Sequence, residues 1–214
     1  MKSDRSWLAR FALSTPLAAI PAFLSRTGIE PGTTAAGRAL ETLVAFTLPL
    51  LVCILLHSTT SPRFEERVSN AVRFGANRRR IVLSELAERA LALLVAAALL
   101  SVALLAFARS PSDPELPRDL LVTLPATTLG AAAAFSLLAA AALWAGRIGL
   151  YGALVVVWTI GHLQLPIAAA VPVGHLRHLL GLGAALPFAQ WISSVALAGF
   201  CALFAAAAFL RVPR

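Results

Sequence analysis

The sequence predicts an all-α, polytopic membrane helix bundle, and three observations carry that reading. The chain of 214 residues is 59% hydrophobic and 13% charged, with a mean hydropathy of +0.82. A soluble domain of this length carries about 25% charged residues. Second, six runs lack any Asp, Glu, Lys or Arg: 11–25, 42–62, 90–108, 120–146, 148–176 and 178–210. A helix needs about 20 apolar residues to cross a hydrocarbon core of about 30 Å. Third, the runs are separated by short polar connections, which leaves no room for a separate soluble domain. Residues 1–214 therefore read as one transmembrane domain. Backbone polar groups in lipid must be satisfied within each segment, so helices are the expected spanning form.

The first run is the shortest and contains Pro16 and Pro21. A stretch of this length crosses the bilayer, lies in the interface as an elbow, or forms the core of a cleaved signal. Spanning is favoured, because otherwise the basic N-terminus would sit on the opposite side from the other basic loops. Residues 26–41 form an external loop with Gly and Pro, and Arg38 and Glu41 flank its inner edge. Span two covers 42–59 with Pro49 at mid-depth, and span three covers 86–107. A Pro- and Asp-containing connection, 108–119, leads to span four at 120–144, which ends at the interfacial anchor Trp144. Gly146-Arg147-Ile148-Gly149 is a tight turn into span five, 148–170. The last run is too long for one crossing and Pro187 divides it. We expect a short helix over 175–186 dipping into the outer leaflet, then span six over 188–210.

Lys and Arg resist translocation, so their distribution orients the chain. With six spans and both termini in the cytoplasm, thirteen of the eighteen basic residues and five of the ten acidic ones fall on the cytoplasmic side. Five of each fall outside, so the whole net charge of +8 lies on one face. We expect an integral protein of a bacterial inner membrane, in contact with membrane lipids and not with nucleic acid. Cys53 and Cys201 both lie in apolar runs and read as small packing residues. No metal-ligand spacing is present.

The most informative segment is 64–80, FEERVSNAVRFGANRRR, between spans two and three. Ser61-Pro62 is a strong helix start. Glu65 and Glu66 lie near the positive end of the helix dipole. Phe64, Val68, Ala71 and Val72 share one helical face, and Gly75 is placed as a C-terminal stop. Asn77 can cap the next helix, whose first turn holds Arg78, Arg79 and Arg80. Three cations at a helix N-terminus oppose its dipole, so lipid, topology or an acidic partner must favour them. Glu85 and Arg89 form an i,i+4 pair where span three enters the membrane.

The pattern Glu66-Arg67, Arg73-Phe74-Gly75-Ala76, Arg78-Arg79 and Glu85 resembles the coupling helix of ABC-transporter permeases, in particular type-2 ABC exporters. The tail 175–191, HLRHLLGLGAALPFAQW, is similar to the external re-entrant segment before span six in that family. The chain departs from the family in lacking a Gly-Thr-Leu-Glu signature in the coupling helix, and the long cytoplasmic helix before span one is absent or merged into residues 1–10. The resemblance implies a permease with a cytoplasmic coupling helix, exporting a hydrophobic or amphipathic substrate. It further implies a separate ATP-binding subunit, which carries ATP and Mg, and a second permease copy or a paralogue. It assigns Glu65, Glu66, Arg67, Arg73, Gly75, Arg78 and Arg79 as the contact set for that ATPase. The chain has no phosphate-binding loop of its own, and we expect no catalytic residue, metal or cofactor in it.

Two other function classes fit the sequence. One is a non-transporting scaffold or accessory subunit of a larger membrane complex. The other is an intramembrane enzyme or ion-coupled carrier, which requires paired ionisable groups deep in the spans. Only His162, with Gln164 beside it, meets that description, and both are candidate pathway-lining residues. An interhelical hydrogen bond is the alternative role for them. His175 and His178 make an incomplete metal site.

Overall fold

The computed structural model describes residues 6–24, 35–108, 116–163, 165–182 and 186–212. It is all-helical among these residues, and five helical stretches are long and apolar enough to cross a membrane. Helix α1 is Ser6–Leu24. Helix α2 (Ala35–Thr42) runs through a π-helical turn, Leu43–Thr47, into α3 (Leu48–His57). The amphipathic α4 is Pro62–Arg73, and α5 is Arg78–Ala108. Helix α6 spans Leu116–His162, α7 is Pro172–Leu179 and α8 is Gln190–Arg211.

The π-turn follows from Pro49. A proline has no N–H to give to the carbonyl four residues back, here Ala45. The Trp158 indole N–H, arriving from α6, donates to that Ala45 oxygen at 2.8 Å. The orphaned acceptor is thus satisfied inside the bundle, as the hydrocarbon interior requires. A second polar tie sits close by, where the buried Thr47 hydroxyl donates to Ala18 O on α1 at 2.8 Å.

Helix α6 is 47 residues long, about 70 Å if straight at 1.5 Å per residue. It is not straight. Ala145 (φ −131°, ψ 20°) and Gly146 (φ 59°, ψ −140°) leave helical geometry, and only glycine takes the second conformation without strain. The chain reverses there. Gly130 on the first arm packs on Leu176 of α7, and Gly161 on the second packs on Val173 of the same short helix. Two points fifteen residues either side of the turn therefore sit at one level. The arms are antiparallel.

These ties define two ends. At one, Trp7, Ser58, Arg67 and Arg89 gather, with Arg79 beside Phe209 and Arg211 over Trp144. The first and last described residues thus share the α4 end. At the other, Phe23 meets Phe107 edge-on at 5.4 Å and α7 is wedged between α6 and α8. Midway, the buried Ser101 and Thr127 hydroxyls join α5 to α6 at 2.9 Å.

Boundaries differ from expectation in the last third. Span five, expected to reach 170, stops at His162, because Pro166 forces Leu165 into an extended conformation (φ −127°, ψ 155°). Pro166–Ala170 is a 3-10 turn. The short helix expected over 175–186 instead starts at Pro172, a favourable first position, and ends before Gly181. Gly181 (φ 66°) closes it with paired bonds, Gly181 N–H to His178 O and Leu182 N–H to Arg177 O. Residues 183–185 lie outside the described set.

Candidate functional site

Helix α4 is built by its own sequence. The Ser61 hydroxyl accepts from Phe64 N–H at 3.3 Å, and Pro62 occupies the first turn. At the other end Gly75 adopts φ 84°, with Gly75 N–H bonded to Val72 O and Ala76 N–H to Ala71 O. This is a Schellman stop. Asn77 Oδ1 then accepts from Arg80 N–H at 3.2 Å and starts α5. Phe64, Val68 and Ala71 are buried beneath the helix. Val72, expected on that face, is exposed. It lies at the edge of the stripe, where the last turn lifts away from α5.

The charged residues divide into an inward set and an outward set. Glu85, at the α5 entry, accepts from Arg67 on α4 at 2.9 Å and from Arg89 at 3.2 Å. Arg89 is 2% exposed. It also donates to Leu55 O at 2.6 Å and Ser58 Oγ at 2.5 Å, so one carboxylate and one guanidinium join α3, α4 and α5. Arg78 pairs with Glu65 at 2.5 Å, tying the start of α5 to the first turn of α4. Arg79 donates to Phe209 O at 2.8 Å and stacks 3.4 Å from the Phe209 ring centre. Phe209 lies in the last turn of α8, whose free carbonyls carry negative partial charge. The cations that oppose the dipole of α5 thus complement α8 and Glu65. Two of the three have a local cause.

The outward set is Glu66, Asn70, Arg73, Phe74 and Gly75, all exposed. Phe74 is 92% exposed at the tip of the α4 turn. Of the seven residues assigned to a partner contact, Glu66, Arg73 and Gly75 share this surface with Phe74. Glu65 is exposed but engaged by Arg78, while Arg67, Arg78 and Arg79 turn toward the bundle. Sequence reasoning passed over Phe74 and Asn70. The signal was present in Phe74, a large apolar side chain immediately before the helix-stopping glycine.

Comparison with protein families, curated proteins and solved structures finds no match.

His162 is the last residue of α6, at the α7 end. Its Nδ1–H donates to Trp158 O at 2.8 Å, and its Nε2 is buried with no partner among the described residues. Gln164 lies outside the described residues. Nearby, Arg177 on α7 is buried, donating to Gly161 O at 3.3 Å and to Glu41 at 3.1 Å. Glu41 is thus held by a cation 136 positions away. His175 lies on the same short helix, its Nε2–H donating to Ala169 O at 2.9 Å while Nδ1 accepts from the buried Ser193 hydroxyl at 3.0 Å. Burial pushes the His175 imidazole below its ordinary value, and the neighbouring His178 adds to this, against the bond to Ala169. Among the described residues, no group of three or more His, Cys, Asp or Glu is placed to hold a metal ion.

Proposed function

We propose that this chain is the membrane-spanning permease subunit of an ABC transporter, exporting a hydrophobic or amphipathic substrate and driven by a separate ATPase subunit. The α6 reversal then splits the fourth helical stretch into two crossings, giving six, with the basic α4 end in the cytoplasm. A second copy or a paralogue completes the pathway. The observation that carries the reading is the construction of α4. It is amphipathic and capped at both ends. It is clamped to α5 through Arg67 and Glu85 and carries an unburied tip of Glu66, Asn70, Arg73 and Phe74. A helix that only rests on lipid headgroups has no need of an internal clamp on one side and an aromatic on the other. A lever needs both: a rigid root and a surface for a partner to grip. Closure of a nucleotide-bound ATPase pair would displace α4 and, through Glu85 and Arg89, the ends of α3 and α5.

The test uses the complex extracted in mild detergent from its native membrane. An azido-ATP analogue should label a separate chain that co-purifies with this one. Glu66→Lys and Phe74→Ala should each lower its co-purification and stimulated ATP hydrolysis at least tenfold while the permease melts as the wild type does, and Gly75→Asp, strained at φ 84°, should lower the hydrolysis. Absence of any labelled partner, or unchanged coupling in all three variants, overturns the proposal.

A further inference from the structure

A cleft opens at the α4 end between α1 and α3, with Tyr151 of α6 at its side. It has two chambers that share Trp7, Arg10, His57 and Ser58. The outer chamber, about 280 Å³, adds Arg63, Arg67 and Arg89 to its wall, and among the described residues no Asp or Glu lines it. Glu85, behind the wall, offsets one of these charges through its bonds to Arg67 and Arg89. The inner chamber, about 720 Å³, runs toward the membrane interior along Leu13, Leu50, Cys53 and Ile54. A cationic mouth thus leads into an apolar slot.

The mouth also holds donors without acceptors. The Trp7 Nε1–H is buried with no partner among the described residues, and so is the Arg89 Nε–H. The two groups adjoin, since the Arg89 guanidinium lies 5.2 Å from the Trp7 ring centre. Arg89 is almost wholly buried, and its other nitrogens are committed to Leu55, Ser58 and Glu85. A buried N–H left unpaired is costly, and native structures pair nearly all of them. Two such donors beside a cluster of guanidinium groups call for an anion with several acceptor oxygens. His57 adds a third polar group, its Nδ1 joined to the Tyr151 hydroxyl at 2.7 Å. The adjoining apolar slot requires that the anion carry a hydrocarbon chain.

We propose that this cleft binds one anionic phospholipid, its phosphate against Trp7, Arg63 and Arg89 and one acyl chain along Leu13, Leu50 and Ile54. The site is independent of the transporter reading, because it needs only that the chain is embedded in a bilayer. It stands between α1 and the Arg89 junction of α3, α4 and α5, so an occupied site braces that junction from the α1 side. Zwitterionic lipids place an ammonium in the same mouth and are disfavoured by its guanidinium groups. Recognition here is by a built pocket, unlike the diffuse attraction of surface cations to an anionic leaflet.

The full chain, delipidated in detergent, is titrated with dioleoyl-phosphatidylglycerol or dioleoyl-phosphatidylcholine and followed by native mass spectrometry. One phosphatidylglycerol per chain should bind about tenfold more tightly than phosphatidylcholine. Trp7→Phe keeps an aromatic ring and removes the N–H, and Arg63→Gln alters only an exposed side chain. Each should weaken phosphatidylglycerol three- to tenfold and phosphatidylcholine less, and Arg63→Gln should leave the melting temperature unchanged. Equal affinity for the two lipids, or wild-type affinity in both variants, overturns the proposal. Displacement of the lipid by millimolar inorganic phosphate also overturns it, since the site would then belong to a soluble phosphate.

Discussion

Removing the Glu85 carboxylate tests the junction on which the α4 end of the bundle depends. In Glu85→Ala, Arg89 stays buried with its bonds to Leu55 O and Ser58 Oγ but without its bonded counter-charge. Breaking a buried ion pair from one side costs about 3–5 kcal/mol in water-soluble proteins. Polar contacts between membrane helices average about 0.6 kcal/mol, because the unfolded chain in lipid also finds partners. The Glu85–Arg89 pair lies at the interface end of α5 and carries full charges, so its loss falls between these limits, about 2–3 kcal/mol. Arg67 is 29% exposed, and its share is at most about 1 kcal/mol. Stability is read by reversible unfolding in mixed micelles, using circular dichroism and thiol labelling of the half-buried Cys53 and Cys201. A double-mutant cycle with Arg89→Met isolates the pair. The double variant should be more stable than the sum of the single losses requires, by about 2 kcal/mol, because no uncompensated guanidinium remains. If Glu85→Ala costs less than about 0.5 kcal/mol, or the two changes simply add, the junction does not hold α4 and the argument from rigidity fails.

Three further outcomes are expected. Gly174→Ala should destabilise by about 2–3 kcal/mol, since its methyl meets the Ala168 backbone carbonyl, whereas Gly130→Ala meets only the movable end of Leu176 and should cost less; Gly199→Ala faces open space and should gain up to about 1 kcal/mol of helix propensity, all by the same unfolding assay. His175 is held below its ordinary value of 6.5 by burial, so the unfolded chain takes up the proton first as pH falls. Its contribution is present above about pH 6.5 and is lost toward the lower folded value, by at most about 1.4 kcal/mol per pH unit, and His175→Gln should flatten that part of the stability profile between pH 7.5 and 5. Amide hydrogen exchange should be slower in α7 than in α4, because residues 172–177 are all buried, whereas only Phe64, Val68 and Ala71 are buried in α4. Equal exchange in the two would contradict the burial pattern.

What could be read from the sequence was local. Ser61-Pro62, Gly75 and Asn77 act within three or four residues through capping bonds that any solvent permits, and the structure places each as expected. The Glu85–Arg89 pair is one helical turn and was equally legible. What the sequence did not show are partners far along the chain. Arg79 meets Phe209 across 130 positions, Arg177 reaches Glu41 across 136, and Trp158 answers the vacancy left by Pro49. No periodicity encodes these meetings, because they depend on which helices become neighbours. The apolar runs identify spans but say little about neighbours, since lipid and protein interiors are similarly apolar. The same ambiguity hid the end of span five. Residues 166–170 are as apolar as the helix before them, and only the backbone consequence of Pro166 separates the two.

The polar residues that hold the bundle are not spread evenly along its length. Glu85, Arg89, Arg67 and Arg79 form one cluster at the α4 end, and Arg177, Glu41, His175 and Ser193 form another around α7. Between them the described side-chain bonds joining helices are few, among them Thr47 to Ala18, Ser101 to Thr127, Trp158 to Ala45 and Cys201 to Ser136. Apolar surfaces in lipid slide past one another with little change in burial, whereas a buried guanidinium cannot leave its acceptors without large cost. Each end is therefore expected to move as a unit, with relative motion at the irregular backbone near the α7 end, the π-turn of 43–47 and Pro125. In the proposed lever, a force applied to α4 would reach α5 through Glu85 and α3 through Arg89. The α7 cluster, whose Arg177 is buried, offers the fixed point against which such a force acts.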